Sequence, residues 1–194
     1  MIAGKTSNVT SPQSSMNISD AQREVRSVFL GGFAGQLVSS GVWFLSAALA
    51  TWSSPIHGIF ALIFGGFFIF PLTLLLLRVM GRRASLGAGN SMRQLAMQLA
   101  FTLPLNLLLV AAATMYRLNW FYPAFMIALG THYLPFMFLY GMWQFGALAA
   151  VIVGTGLMIG LYGQDTFSVG GWFSAIVLLL FSFIGRSVVL RENK

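Results

Sequence analysis

The sequence is poor in the residues that most soluble proteins use for their surfaces and their chemistry. It contains no cysteine among 194 residues, which excludes disulfides, thiol catalysis and thiolate metal sites. Charged residues make up only 8% of the chain, against roughly a quarter in a typical soluble domain. Because 57% of the residues are hydrophobic, the composition indicates a polytopic membrane protein.

Acidic residues are missing where ion-coupled transport would need them. Between Val28 and Ile184 the single acidic residue is Asp165, which lies in a predicted turn outside the membrane. The sequence therefore offers no carboxylate within the membrane to bind a proton or Na⁺, which disfavours ion-coupled transport. The same interval contains no lysine, which excludes a retinal-type Schiff base.

The apolar runs follow one another with only short breaks, so we expect one helical bundle without a separate soluble domain. The sequence predicts an all-α fold, with six transmembrane helices in one domain at residues 20–186. The predicted spans are 28–51, 55–77, 94–115, 121–140, 145–161 and 167–184. Residues 1–19 are predicted to form a disordered tail, and residues 187–194 a short C-terminal tail.

The basic residues predict how the six spans are oriented. Ten of the eleven Lys and Arg residues fall on the side that holds both termini, and only Arg117 falls on the other. By the positive-inside rule both termini are cytoplasmic, in a multi-pass protein of the inner (plasma) membrane. Because these charges lie at span ends, nucleic acid is not an expected partner. Arg82 and Arg83 are candidates for binding the headgroups of membrane lipids, with a specific phosphate site as the alternative.

One ionisable side chain is predicted to lie deep in the membrane. His132 follows Tyr122 by about 15 Å along the fourth span, near the middle of a hydrocarbon core about 30 Å thick. An ionisable residue at that depth is a candidate functional residue. The other histidine, His57, differs from it by about 12 Å in depth, so the pair is poorly placed to share a metal or haem. We predict no metal site and no cofactor.

Glycine and proline recur at the same spacing in two spans. Gly66 and Pro71 lie in the second span, and Gly130 and Pro135 in the fourth. We expect helix breaks at both pairs, since a broken helix frees backbone carbonyls to line a cavity.

Six polar residues at mid-membrane depth form the candidate ligand site. They are Gln36, Ser40, Asn106, Thr131, His132 and Tyr133. They either share a pocket for a neutral or weakly polar ligand or join neighbouring helices by hydrogen bonds of about 0.6 kcal/mol each. We predict no catalytic residue, because the membrane part lacks an acid, a thiol and a histidine cluster, which disfavours an enzyme.

Several of these features occur together in a known group of proteins. A basic segment leads into a first span with glycine and tryptophan, the second span carries Gly-Gly and proline, and the fourth contains Gly130-x-His-Tyr-Leu-Pro135 followed by Leu139-Tyr140. This pattern resembles a group of small bacterial membrane proteins known only as a domain of unknown function. The resemblance covers most of residues 23–186 and implies a bacterial six-helix protein. It implies no activity and no site residue.

Two functions from different classes remain open. The first is a small channel or facilitative transporter for a neutral or weakly polar solute, working as a homo-oligomer, with a dimer favoured because six short spans are few for a pathway. The alternative is a non-transporting membrane module that binds a lipid or a partner membrane protein through glycine-rich helix faces.

Overall fold

The computed structural model describes residues 16–163 and 166–192. Its helices are α1 (Ile18–Phe29), α2 (Phe33–Trp52), α3 (Pro55–Val79), α4 (Met92–Tyr116), α5 (Phe121–Tyr133), α6 (Phe136–Tyr140), α7 (Gln144–Tyr162) and α8 (Val169–Glu192). Six segments are long and apolar enough to cross a membrane, which confirms the predicted fold class. The first combines α1 with α2, and the fourth combines α5 with α6.

The ends of the chain differ from the expected tails where they are described. Most of the predicted tail at residues 1–19 lies outside the described residues, as do Asp165 and the last two residues. Residues 187–192 continue α8, so the predicted C-terminal tail is helical as far as the description reaches.

The helices form a curved series in which the first and last spans are neighbours, and its concave side brings α2 into contact with α5 through Ser46 and Tyr122. Helix α2 packs against α3 on one side and α8 on the other, α8 meets α7, and α5 packs between α7 and α4. The order across the bundle is therefore α3, α2, α8, α7, α5, α4. This order places α3 and α4 at its two edges.

Glycines let the inner helices approach closely. A Cβ atom added at Gly130 of α5 would lie 3.0 Å from the carbonyl oxygen of Ala149 on α7. A Cβ added at Gly156 of α7 would lie 3.1 Å from the carbonyl oxygen of Pro123. Close approach of this kind is how membrane helices gain packing energy in an apolar solvent.

The first span is bent close to its start. Leu30, Gly31 and Gly32 have φ angles of 51°, 63° and 84°, so α1 ends at Phe29 and α2 starts at Phe33. The bend brings the backbone of Gly31 against Gly185 of α8, where an added Cβ would lie 2.5 Å from the Gly185 oxygen. Glycine at both positions permits this contact. A left-handed leucine is uncommon and costs conformational energy.

Polar contacts fix α1 at the basic end of the bundle. Arg26 donates from Nε to Glu192 at 2.9 Å and from Nη1 to the carbonyl oxygen of Tyr140 at 2.7 Å. The Glu24 carboxylate accepts from Nδ2 of Asn90 at 2.8 Å. Residues near both ends of the described chain therefore lie at one end of the bundle, as six crossings require.

Only one of the two predicted helix breaks is present. The fourth span is interrupted after Tyr133, because Pro135 has no N–H and the Thr131 carbonyl oxygen accepts instead from the N–H of Leu134 at 3.3 Å. Helix α3 continues through Gly66 and Pro71 without interruption, which corrects the expectation for that pair. A proline whose φ suits the helix is tolerated in a transmembrane segment when neighbouring groups compensate for its missing N–H.

Candidate functional site

A cavity of about 290 Å³ lies between α2, α3, α4 and the α5–α6 segment. Its size is just below the range of about 300–1,000 Å³ that is usual for ligand pockets. Most of its lining is aliphatic or aromatic, and the polar side chains are few. Those that line it are Gln36, Ser39, Thr73, His132, Tyr133 and Tyr140.

The cavity lies near the midpoints of α3 and α4. Gly66, in its wall, is about 17 Å along α3 from Pro55, and Pro104 is about 18 Å along α4 from Met92. Each helix has 25 residues and is therefore about 38 Å long. Both wall positions are thus near the midpoints of their helices.

Gln36 lines both this cavity and a narrow pocket at Gly31 and Gly185. Its side chain is only 4% exposed, and its buried Oε1 atom has no hydrogen-bond partner within the described residues. A buried polar group left unpaired costs about 1–3 kcal/mol. Gln36 is therefore a polar residue of the cavity wall whose hydrogen-bonding capacity is not fully used.

His132 of α5 forms a hydrogen bond with α4. Its Nδ1 atom lies 2.7 Å from Oγ1 of Thr102, which also donates to the carbonyl oxygen of Leu99 at 2.8 Å. A hydroxyl has one proton, so both bonds form together only when Nδ1–H donates to Thr102. On this ground we assign the Nδ1–H tautomer, in which Nε2 is an acceptor.

Tyr133 belongs to an aromatic group at the basic end of the cavity. Its side chain lies close to that of Ser39 of α2. Its ring centroid lies 5.5 Å from that of Phe136 and 6.1 Å from that of Phe145, and the Tyr140 ring is 4.8 Å from Phe145. Together these four rings separate the cavity from the polar contacts of α1.

Three of the candidate residues lie elsewhere. Ser40 is buried and donates to the carbonyl oxygen of Ala175 at 2.8 Å, so it joins α2 to α8. Thr131 is exposed and bonds to carbonyl oxygens of its own helix. Asn106 is half-buried on α4 and does not line the cavity.

Sequence analysis missed Ser39, Thr73 and Thr102, and only Ser39 shows a pattern from which it could have been predicted. Ser39 follows Gln36 by three positions, a spacing that places both on one helix face, so it could have been included. Thr73 follows Pro71 closely and donates to the carbonyl oxygen of Ile69 at 2.7 Å, which is a local bond without a distinguishing pattern. Thr102 is the partner of His132, and nothing in the sequence pairs the two.

Two further predictions concern lipid headgroups and metal ions. Arg82 and Arg83 are exposed in the loop between α3 and α4, and their binding to headgroups stays a prediction. In the described ranges there is no group of three or more His, Asp or Glu side chains placed to hold a metal ion.

Comparison with known proteins gives a family but no activity. The profile of a family of unknown function, DUF7010, matches residues 18–187, which run from α1 into α8. The chain belongs to that family. No curated protein and no solved structure matches it. The resemblance to an uncharacterised family is thereby confirmed, whereas the bacterial origin stays a prediction.

Proposed function

We propose that this DUF7010 member, a multi-pass membrane protein, is a facilitative transporter for a neutral or weakly polar small molecule that binds in the central cavity. The observation that carries the proposal is a cavity of about 290 Å³, mostly apolar with a few polar side chains, near the midpoints of α3 and α4. Gln36 and His132 are among the polar residues that line it.

A neutral ligand fits the charges of the site. No acidic or basic side chain other than the histidine lines the cavity, so a charged ligand would enter without a counter-charge in a medium that penalises burial of charge. Without a carboxylate for a coupling ion, the ligand moves down its own gradient.

Filling the cavity tests the site. A Cβ at Gly66 meets nothing within 4 Å, so Gly66→Leu extends a side chain into the cavity at little steric cost. Gly154 on α7 is equally open but lies outside the cavity, which makes Gly154→Leu the matched control. The purified chain is reconstituted into liposomes, and the uptake of glycerol, urea and other neutral solutes is followed by light scattering.

We expect at least one solute to enter faster than in protein-free liposomes. Gly66→Leu should abolish the increase and Gly154→Leu should preserve it. No increase for any solute, or an increase that Gly66→Leu leaves intact, would contradict transport through this cavity.

The unpaired carbonyl is tested by a second matched pair. Gln36→Leu removes an acceptor that the protein itself leaves unpaired, so it should lower flux without lowering thermal stability. Ser174, on α8, also has a buried unpaired side-chain oxygen but does not line the cavity. Ser174→Ala should therefore leave flux unchanged.

The alternative function, a non-transporting module that binds a lipid or a partner membrane protein, is favoured by the large exposed face of α3. Phe60, Phe64, Phe67 and Phe68 on this helix are 54–62% exposed. The same face is where we place the interface of the proposed homodimer. Mass measurement in nanodiscs distinguishes these outcomes, since a dimer, a stoichiometric lipid and a bare monomer differ in mass.

A further inference from the structure

The curved series of helices leaves a gap between its two edges, α3 and α4. Within the described residues these two helices do not pack along one another, although both line the central cavity. Phe70 of α3 is 64% exposed, and Ala100 and Pro104 of α4 are also exposed. A Cβ atom added at Gly66 meets nothing within 4 Å. The cavity therefore has a lateral opening, which we define by Gly66, Phe70, Ala100 and Pro104.

The lateral opening consists of apolar residues. Of the polar residues that line the cavity within the described chain, only Thr73 is on α3 or α4. Its hydroxyl donates to the carbonyl oxygen of Ile69 within its own helix. The opening therefore suits a hydrocarbon chain, since a polar group placed there would lose its hydrogen bonds to water.

Four arginines lie at the basic end of this opening. Arg78 is in the last turn of α3, Arg82 and Arg83 are in the loop that joins α3 to α4, and Arg93 is in the first turn of α4. All four are exposed, and residues 78–93 contain no acidic residue. The salt bridges found among the described residues include none of the four. The segment that spans the gap thus carries four positive charges and no carboxylate of its own.

The Glu24 carboxylate of α1 approaches the same loop but is already used. It accepts from the N–H of Gly87 at 2.7 Å and from Nδ2 of Asn90 at 2.8 Å. Four arginines and one glutamate leave an excess of positive charge, to which the N-terminus of α4 adds the positive end of its helix dipole. The basic end of the opening therefore favours an anionic group such as a lipid phosphate.

Arg93 is aligned with the opening along α4. Ala100 and Pro104 follow it by seven and eleven residues, about two and three turns of a helix, so the three lie on one face. Arg93 and Pro104 are about 17 Å apart along the helix. One leaflet fills half of a hydrocarbon core about 30 Å thick, so the distance from the arginine to the far end of the opening matches the length of an acyl chain in one leaflet.

We infer that an anionic phospholipid from the leaflet on the basic side binds here, with its phosphate at the four arginines and one acyl chain in the lateral opening. The chain closes the side of the cavity that α3 and α4 leave open. The inference goes beyond the proposed function, because it concerns the wall of the cavity and requires neither transport nor a solute.

Native mass spectrometry of the full chain tests the choice of headgroup. The protein in detergent is titrated with dioleoyl phosphatidylglycerol, which is anionic, or with dioleoyl phosphatidylcholine, which has the same chains and no net charge. We expect one phosphatidylglycerol to be retained per chain at concentrations where phosphatidylcholine is not. Arg93→Gln should weaken this binding about fivefold. Arg191→Gln is the matched control and should preserve it, because this exposed arginine is at the basic end of α8.

A second measurement locates the acyl chain. Phosphatidylglycerol that carries a diazirine in one chain is mixed into phosphatidylcholine liposomes with the protein, and labelled peptides are identified by mass spectrometry after irradiation. Labels should be enriched in residues 62–73 and 96–104, which line the cavity on α3 and α4. Gly66→Trp should reduce this labelling. Gly154→Trp should preserve it, since Gly154 is equally open but is on α7.

Several outcomes would overturn the inference. These are equal retention of the two lipids, an Arg191→Gln effect as large as that of Arg93→Gln, and labelling that Gly66→Trp leaves unchanged. A dimer that retains no lipid would also overturn it, because a second copy of the chain would then cover the opening. None of these readouts measures flux, so this inference can fail while transport is observed, and transport can fail while one lipid is retained.

Discussion

In soluble proteins the more hydrophobic segments are usually the more buried. A comparison of an inner span with an edge helix of this bundle shows the opposite. Half of the most apolar window is buried in the first and fourth spans, against 6% for α3 and 11% for α4. Yet α3 is the most hydrophobic of the six spans, and the fourth is the least. For these two spans, hydrophobicity marks the outer surface and polarity marks the interior, whereas α8 is more hydrophobic than α4 and yet more buried.

The reason lies in what each helix contacts. Lipid tails are as apolar as leucine, so exposing Phe and Leu costs nothing, and helix association depends on packing and hydrogen bonds. Helix α2 therefore buries Gln36, Ser39, Ser40 and Ser46, while α3 exposes phenylalanines on the outer surface of the single chain. The following four comparisons test this contrast, starting with the largest expected effect.

The largest effect is expected where two backbones touch. Gly185→Leu places a side chain against the Gly31 carbonyl oxygen, 2.5 Å from the added Cβ, and that backbone cannot yield without separating α1 from α8. Overpacking usually costs about 1–3 kcal/mol and sometimes more, so we expect loss of the monodisperse peak in detergent chromatography. Gly154→Leu should keep the peak, and similar behaviour of the two variants would contradict the contact.

Two leucine-to-alanine substitutions compare a buried position with an exposed one without adding atoms to the core. Leu178 of α8 is 0% exposed and Leu108 of α4 is 75% exposed. Leu178→Ala should lower the free energy of unfolding by about 2–5 kcal/mol because it leaves a cavity, whereas Leu108→Ala should change it little. Thermal unfolding in one detergent measures both. A Leu108→Ala effect as large as that of Leu178→Ala would show that the α4 surface is covered by protein.

A hydroxyl pair separates bonds between helices from bonds within one. Oγ of Ser46 donates to the Gly58 carbonyl oxygen at 2.7 Å and lies 2.6 Å from the hydroxyl of Tyr122. Oγ1 of Thr114 bonds only within α4, to Val110. Ser46→Ala should lower stability by about 1–3 kcal/mol, since it leaves buried partners unpaired. An equal loss of stability in Thr114→Ala would contradict a larger contribution from the bond between helices.

The smallest effect is expected for charges at the basic end. Glu24 accepts from the N–H of Gly87 and from Asn90, so Glu24→Ala should lower stability by about 1 kcal/mol. Asp20 lies 4.0 Å from Arg23, and both side chains are more than half exposed, so Asp20→Ala should have no measurable effect. Unfolding at low and high salt checks both, and a larger loss for Asp20→Ala would contradict the structure.

The sequence was sufficient for the features that depend on composition and on distance along one helix. The six spans follow from apolar runs, whereas the depth of His132 in the membrane, calculated from the rise per residue, stays a prediction. We predicted that both prolines interrupt their helices. Pro135 interrupts its span, whereas Pro71 does not. The outcome depends on neighbouring contacts that one helix does not reveal.

The rotation of a helix about its own axis could not be predicted from the sequence, and this limited the prediction of the site residues. Gln36 and Ser40 are four residues apart and share one side of α2 by spacing, yet Gln36 lines the cavity and Ser40 bonds to α8. Which helix faces each residue is determined by the packing of α2 between α3 and α8. The left-handed Leu30 was equally hidden, because it depends on the contact of Gly31 with a glycine more than 150 positions away.

The adjacency of α2 and α8 also determines the order in which the protein is assembled. Helix α2 enters the membrane early and can pair with α3 at once, but its partner α8 is the last of the six spans to leave the ribosome. Until then Ser40 lacks its acceptor on Ala175, Arg26 lacks Glu192, and the groove at Gly31 faces lipid. The contacts that join the first span to the last can therefore form only after α8 has been synthesised.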